Sequence, residues 1–384
     1  MKRKICIVTG TRADYGIYYP VMKAIKSSKN LELQIVATCM HLMKEFGMTV
    51  REIKKEGFKV NKEVDISYSQ DTGLAMADSV GRGICGLSKA FSVLKPDLVM
   101  VLGDRGEMLA AAIAADYLNI PIAHLHGGEI SGHIDGILRH AITKLSHLHF
   151  TATESAKKRI IRLGEDPSRV FRVGAPAIDR ILKENLPSRA VLEKKYKIGR
   201  QEPFLLLVQH PVSTQMSSAS RQISATIEAV KSTGIRTIIL YPNADAGGRE
   251  MIRVIKRSAG SNGITAYKSI PHKDYLGLMK SASVLVGNSS SGIIEAPSFR
   301  TPVVNIGIRQ EGRERAANII NCSDNRSDIR RTLNKALNDK VYKAKIKIRN
   351  MTNPYGDGNA AARILKVLEK AHLGLKCFEK KISY

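Results

Sequence analysis

The sequence predicts an α/β protein built from two doubly wound, Rossmann-like domains facing each other across a cleft, the B-type glycosyltransferase-like arrangement. Three observations carry this. Short, almost wholly apolar runs recur along the chain, as strands buried on both faces of a parallel sheet do. Helix-like stretches separate them, the alternation expected of βα units. The scheme then breaks at a charged segment and restarts. In the first half KICIVTG (4–10), ELQIVATC (32–39), DLVMVLG (97–103), PIAHLHG (121–127), LHFTAT (148–153) and RVFRVGAP (169–176) read as strands, with a helical pattern over Gly106 to Leu118 between two of them. The charged stretch 183–203 reads as the linker between an N-terminal domain, 1–182, and a C-terminal one, 204–358. There FLLLVQHP (204–211), RTIILYPN (236–243), ITAYKS (264–269), SVLVGNSS (283–290) and TPVVNIG (301–307) form the second series. The segment 359–384 opens with a helical pattern after a Pro-Tyr-Gly-Asp-Gly turn, and is expected to cross back to the first domain. In such folds ligands bind beyond the C-terminal ends of the strands.

Composition narrows the class of ligand. The 384 residues carry 61 Lys and Arg against 35 Asp and Glu, a formal charge of +26, which calls for an anionic partner. The basic residues are spread along the chain; the one dense stretch, Arg326 to Arg349, contains Tyr342 as its only aromatic. That favours a solvated helix face over a base-stacking surface, and a small charged anion over a specific nucleic acid. No run approaches the ~18 apolar residues of a membrane span. The five cysteines are scattered, odd in number and without a CxxC pair, so reduced thiols and a cytoplasmic setting are expected.

The chemistry-bearing residues cluster where strands end. GTRADYG, Gly10 to Gly16, follows the first strand and opens a helix, so its backbone N–H groups and Arg12 are placed to meet an anion. It matches neither the dinucleotide fingerprint nor the P-loop. GDRGE puts Asp104, Arg105 and Glu107 directly after a buried strand, where charges are costly unless used. GNSSSGIIEA ends another strand and starts a helix: Ser289 and Ser290 offer a diphosphate cradle, and Glu295, two turns in, an acceptor for ribose hydroxyls. Arg309 lies past the next strand. His210, followed by proline at a strand end, is expected to point into the cleft.

Six of the ten histidines fall within His124–His149, the stretch HLHGGEISGHIDGILRHAITKLSHLH. His124 and His126 alternate on one expected strand, His147 and His149 on the next, so that each pair points to one side. A metal site is disfavoured, because neither an HExxH arrangement nor a nearby cysteine accompanies them. His133, His140, His147 and His149 read as hydrogen-bonded scaffold.

Together GTRADYG, GDRGE, the histidine-rich stretch, the His-Pro after FLLLVQ, YPNADAG, VGNSSSG and IRQEGRE closely resemble the hydrolysing UDP-N-acetylglucosamine 2-epimerases. The nearest likeness is to the branch that releases N-acetylmannosamine, or a related diacetamido sugar, for sialic-acid-type nonulosonate synthesis. The resemblance runs in order from about residue 4 to about residue 360. It implies a UDP-sugar substrate, no metal or redox cofactor, and a homodimer or higher homo-oligomer. The implied reaction eliminates UDP to a glucal and adds water with inversion at C2. Carried over by position, Asp104, Asp135 and His210 match catalytic acid/base residues. Ser289, Ser290, Glu295 and Arg309 match the UDP-binding set, and Arg12, Arg105 and Asn243 match residues lining the cleft. One position departs: where known members carry a glutamate in a His-x-Glu-Gly-Gly-Glu or similar motif, this chain has His126. Either the imidazole transfers the proton, or Glu129, otherwise expected to bind substrate, or another carboxylate does. A UDP-sugar-dependent glycosyltransferase of the same fold is the competing reading, though no acceptor site is visible in the sequence.

Overall fold

The computed structural model describes the chain apart from residues 1, 69, 71, 131–134, 262, 348–351, 375–377 and 381–384. It divides into two compact units, one formed by Met1–Ile130, Ile134–Lys183 and Tyr355–Tyr384, the other by Glu184–Pro354. Among the described residues no helix is long and apolar enough to cross a membrane.

The first unit is built on seven parallel strands: β1 (Arg3–Thr9), β2 (Leu31–Thr38), β3 (Lys62–Val64), β4 (Leu98–Leu102), β5 (Ile122–Leu125), β6 (Leu148–Thr151) and β7 (Val170–Arg172). Their order is β3-β2-β1-β4-β5-β6-β7, so the direction of winding reverses between β1 and β4. Ile5 of β1 sits opposite Leu33 on one side and Leu98 on the other. The second unit repeats the plan with β8 (Phe204–Val208), β9 (Arg236–Leu240), β10 (Ile264–Tyr267), β11 (Val284–Gly287), β12 (Val303–Ile306) and β13 (Ile319–Cys322), in the order β10-β9-β8-β11-β12-β13. Its reversal lies between β8 and β11. Both reversals fall where open α/β sheets offer their strand ends to ligands.

The strands absent from the sequence reading, β3 and β13, are both at a sheet edge. An edge strand is covered on fewer sides and lacks the continuous apolar run that marks a central one; Lys62 and Glu63 of β3 are exposed, as is Asn321 of β13.

The stretch 183–203, read as a linker, is from Glu184 onward a structured part of the second unit, Lys183 ending a helix of the first. Its helix, Arg189–Tyr196, buries Leu192 and Tyr196 in that unit's core, joined by Ile198. Two apolar positions spaced i, i+4 suffice for a buried face, and the charged residues around them mask it in the sequence.

The last described helix, Ala360–Lys370, packs Ile364 and Leu368 into the core of the first unit, beside Tyr18, Met22 and Ile25 of helix Arg12–Ser27. Its first N–H groups are capped by Asp179, whose two oxygens accept from Ala360 N at 2.9 Å and Ala361 N at 2.8 Å. Removing three carbons from the fully buried Ile364 should leave a cavity. Ile364→Ala is therefore expected to lower unfolding stability by about 2–5 kcal/mol in urea titrations, and an unchanged midpoint would show that this helix does not contribute to the core.

Candidate active site

The turn after β1 is organised by one carboxylate. Asp14, buried in the first turn of helix Arg12–Ser27, accepts from Thr9 Oγ1 at 2.7 Å, Gly10 N at 2.9 Å and Thr11 N at 3.0 Å. Burial pushes its pKa up, but His41, Gly10 and Thr9 outweigh that and hold it below the usual range. The N–H groups of Gly10 and Thr11, which the sequence offers to an anion, are thus taken by the protein itself. Arg12 is half-buried as the first residue of the helix. Gly10 is required by a close approach: a Cβ there would lie 2.8 Å from Glu107 Cγ. Glu107 is buried and receives Arg105 Nε at 2.6 Å, which orients the Arg105 guanidinium just before helix Gly106–Tyr117.

The ends of β4 and β5 carry the remaining charged groups. Gly103 N donates to Leu125 O at 2.9 Å, tying the two strand ends together. Asp104 follows, and its carboxylate meets the guanidinium of Arg139, a residue only 2% exposed on helix Asp135–Leu145. Arg139 Nη1 also donates to the Glu129 carbonyl at 2.7 Å. Arg159 donates to the Gly128 carbonyl. The loop His126–Glu129 is thereby clamped by two arginines from two helices. His126 itself has φ 62, left-handed backbone that is uncommon for a residue with a Cβ and that concentrates at functional sites. Its N–H donates to Phe150 O at 3.0 Å, and its Nδ1 lies 2.5 Å from Glu129 Oε1. Both side chains are nearly sealed from solvent, at 5% and 6% exposure. Nε2 of His126 is buried without a hydrogen-bond partner among the described residues.

The structure therefore brings together Asp104, His126 and Glu129 of the expected set. Asp135 opens helix Asp135–Leu145, but its side chain, like all of His133, lies outside the described residues. Arg139 and Arg159 were missed. The signal for Arg139 was present: it falls on the same helical stripe as Ile142 and Thr143, which are buried, so a charge at that position had to have a partner.

Of the other histidines, His124 and His147 are engaged differently, while His149 repeats the carboxylate contact with its Nδ1 buried and unpartnered among the described residues. His124 is fully buried with both nitrogens engaged, Nε2 at 2.8 Å from the Gly103 carbonyl and Nδ1 at 3.1 Å from Thr143 Oγ1. A carbonyl can only accept, so the proton is on Nε2 and Nδ1 accepts from the hydroxyl; burial pulls the pKa down to about 3. His147 Nδ1 accepts from Ile122 N at 3.1 Å, and burial followed by the charge of Lys380 lowers it to about 4. His149 Nε2 bonds Glu165 at 3.1 Å. The expected alternating pairs do not form, because β5 ends at Leu125 and β6 begins at Leu148, leaving His126 and His147 in the flanking turns. Among the described residues no group of three His, Cys, Asp or Glu side chains is placed to hold a metal ion.

In the second unit Asn288 ties the strand ends. Its side chain accepts from His210 N at 2.7 Å and donates to His210 O at 2.8 Å, while its carbonyl receives Gln310 Nε2 at 2.9 Å and Arg309 Nη1 at 3.3 Å. Gly287 before it has φ 125, and a Cβ would lie 2.6 Å from the Val208 carbonyl carbon. The His210 ring is 7% exposed, its Nδ1 accepting from Asn243 N at 3.1 Å. Ser289 caps helix Ser290–Ile294, and its Oγ lies 2.9 Å from Ser291 Oγ, which Tyr275 reaches at 2.5 Å. Glu295 is not two turns into one helix. It stands at the junction of Ser290–Ile294 and Ala296–Phe299, with His272 Nε2 3.5 Å away. Pro297, with no N–H and a ring that obstructs the preceding turn, starts the new helix there.

Residues 23–369 match the family described as UDP-N-acetylglucosamine 2-epimerase. The chain belongs to that family. Among relatives of this 2-epimerase family member, the UDP-N,N'-diacetylbacillosamine 2-epimerase (hydrolyzing) of Legionella pneumophila is 41% identical over 384 residues, 100% of both chains. The GDP/UDP-N,N'-diacetylbacillosamine 2-epimerase (hydrolyzing) of Campylobacter jejuni is 39% identical over 85% of this chain and 86% of its own. The crystal structure of the Neisseria meningitidis UDP-GlcNAc 2-epimerase bound to UDP-GlcNAc shares the fold, with a TM-score of 0.79 and 19% identity over 96% of this chain and 100% of that one. The protein is thus an enzyme of the 2-epimerase family with its two-domain, B-type glycosyltransferase-like fold.

The buried histidines of this epimerase-family fold make its stability depend on pH. His124 and His147 titrate near 6.5 when unfolded but at about 3 and about 4 when folded. Between those values the unfolded chain binds more protons, so stability is full above 6.5 and falls on acidification toward 4. Urea midpoints are expected to drop steadily from pH 7.5 to 4.5, and less steeply in His147→Gln. A flat profile in the native chain would contradict the neutral, buried state of both rings.

Proposed function

We propose that the chain is a hydrolysing 2-epimerase that converts a UDP-2,4-diacetamido-trideoxy sugar into UDP and the free C2-inverted sugar. The observation that carries the chemistry is the His126 imidazole, buried, held at Nδ1 by Glu129, with Nε2 left unpartnered among the described residues. A carboxylate accepts only, so Nδ1 carries the proton, and in the neutral ring Nε2 presents a lone pair. This is the arrangement a general base needs. In the first step Nε2 takes the C2 proton, the C2–H pair becomes the C1–C2 double bond, and the C1–O bond breaks as UDP departs. Water then adds, its hydroxyl to C1, while C2 gains a proton on the opposite face. One water is consumed and nothing is oxidised.

In this reading Glu129 orients the base and does not bind substrate. Asp104, Asp135 and His210 are assigned to the remaining proton transfers. UDP is assigned to the second unit, with Ser289 and Ser290 at its diphosphate, Glu295 at its ribose and Arg309 as counter-charge; Arg12, Arg105 and Asn243 are further substrate contacts. The diacetamido substrate is supported by the 41% identity over full length to the Legionella pneumophila relative. A second reading, UDP-N-acetylglucosamine, is favoured by the description of the family as a whole. The scattered cysteines support a cytoplasmic setting.

The purified chain, given each UDP-sugar alone in deuterated water, is expected to release UDP and a free sugar labelled at C2, read by proton NMR. The diacetamido substrate should have the higher kcat/KM. No release without an added acceptor would instead favour a glycosyltransferase. His126→Gln should lower kcat by roughly 10²–10⁴ while leaving UDP affinity by calorimetry unchanged. Arg309→Ala should do the reverse, weakening UDP by about 1.5–3 kcal/mol, the range of a hydrogen bond to a charged group.

A further inference from the structure

The C-terminal segment reaches the opposite end of the helix that carries Arg139. Lys380 Nζ lies 2.6 Å from the Lys144 carbonyl, 2.6 Å from the Ser146 carbonyl and 2.8 Å from Glu165 Oε2, with the Thr143 carbonyl at 3.5 Å. An ammonium has three protons, and three close acceptors take them. One belongs to the last turn of helix Asp135–Leu145 and one to Ser146 just past it, where carbonyls lack intrahelical partners and the dipole favours a cation. The third belongs to a carboxylate only 3% exposed, which also receives Lys144 Nζ at 2.7 Å and His149 Nε2 at 3.1 Å. Two residues before, Phe378 packs edge-on against His147 with ring centroids 5.0 Å apart. Burial disfavours both ions, yet the hydrogen bonds from His149, Lys144 and Lys380 bring Glu165 down to about 2.

What this cage holds leads directly to the proposed base. Thr143 presents its carbonyl to Lys380 and its hydroxyl to His124 Nδ1. One turn earlier on the same helix, Arg139 grips Asp104 and the Glu129 carbonyl. On the other side, His149 pairs in register with His124, and the next residue, Phe150, receives the His126 N–H. Two of the supports of the His126–Glu129 loop, Arg139 and the Phe150 carbonyl, therefore lead back to the cage; the third, Arg159, stands apart from it.

We propose that Lys380 is a positioning residue for the 2-epimerase reaction: its ammonium latches the last turn of helix Asp135–Leu145 and so fixes Arg139 and the His126–Glu129 loop in their working geometry. This rests on the functional reading above only for the reaction being measured. Lys380→Ala in the full chain should lower kcat by roughly 10-fold to 100-fold, the cost of a small misplacement of reacting groups, with KM and UDP affinity unchanged. Lys380→Arg should retain most activity. Propylammonium, which restores the missing atoms, should recover kcat in Lys380→Ala, whereas tetramethylammonium at equal ionic strength, having no N–H, should not. Hydrogen exchange of the amides from 140 to 145 should quicken in Lys380→Ala and slow again with propylammonium. If Lys380→Ala does not fold, Lys380→Gln takes its place in the same series.

The outcomes separate. A native chain that turns over no UDP-sugar refutes the functional reading, and hydrogen exchange then still decides whether the latch exists. Quickened exchange with unchanged kcat reduces Lys380 to a stabilising cap and overturns the proposal. Unchanged exchange overturns it as well.

Discussion

The geometry of the first unit's strand ends depends on a single buried guanidinium. Arg139, 2% exposed, spans from the Asp104 carboxylate to the Glu129 carbonyl, and so joins the turn after β4 to the turn after β5. A guanidinium is planar with its donors fixed in a fork, so two acceptors on different loops are held at set positions relative to each other. A buried charge left without a partner costs several kcal/mol; Arg139 and Asp104 therefore require each other, and neither loop can move off without exposing or orphaning one of them. The left-handed backbone at His126 is tolerated inside that frame because its N–H and the carbonyls of Gly128 and Glu129 are fixed from outside the loop, and its Nδ1 by Glu129 within it.

The histidines of this region separate by what their second nitrogen does. In His124 both nitrogens are consumed and burial drives the ring far toward the neutral form, so it serves as a rigid strut between the Gly103 carbonyl and Thr143. His147 and His149 join the β5 edge and Glu165. His126 and His149 each have one nitrogen fixed by a carboxylate and the other buried and unpartnered among the described residues. But His149 lies within β6 and its Glu165 is shared with Lys144 and Lys380, whereas His126 stands in the turn after β5 that Arg139 holds beside Asp104. Proximity in sequence made the cluster look like one device; hydrogen bonding shows that His124 and His147 serve as struts, and position sets His126 apart at the strand ends.

Much of the fold was legible because central parallel strands must be apolar on both faces, which is why FLLLV and IVT are visible without context. The edge strands Lys62–Val64 and Ile319–Cys322 were not, since an edge lacks that constraint. Helix Arg189–Tyr196 was hidden for a related reason: two buried residues among charged neighbours look like a linker until the partner core is in place. Strand-end motifs put Asp104 and His126 at strand ends of the first unit and His210 at a strand end of the second, where the structure has them, but pairing was not readable. That Asp14 consumes the N–H groups of Gly10 and Thr11, or that Glu129 turns toward His126, follows from side-chain rotamers and loop paths that no spacing rule contains.

The second unit solves the same problem with a neutral group. Asn288 supplies the tie between β8, β11 and the turn after β12 by using an amide as both donor and acceptor on the backbone of His210, and its own carbonyl on Arg309 and Gln310. The tie uses an amide side chain and a backbone carbonyl, with no charged acceptor at Asn288. The first unit uses an arginine to join a carboxylate to the loop that carries the imidazole; the second uses an amide to hold the backbone of His210, with the same residue's carbonyl receiving Arg309. The two choices match the opposite chemistries assigned to them, proton transfer in one and anion binding in the other. A carboxylate at Asn288's position could accept from His210 N but not donate to its carbonyl, and an amide at Arg139's would leave Asp104 without its counter-charge.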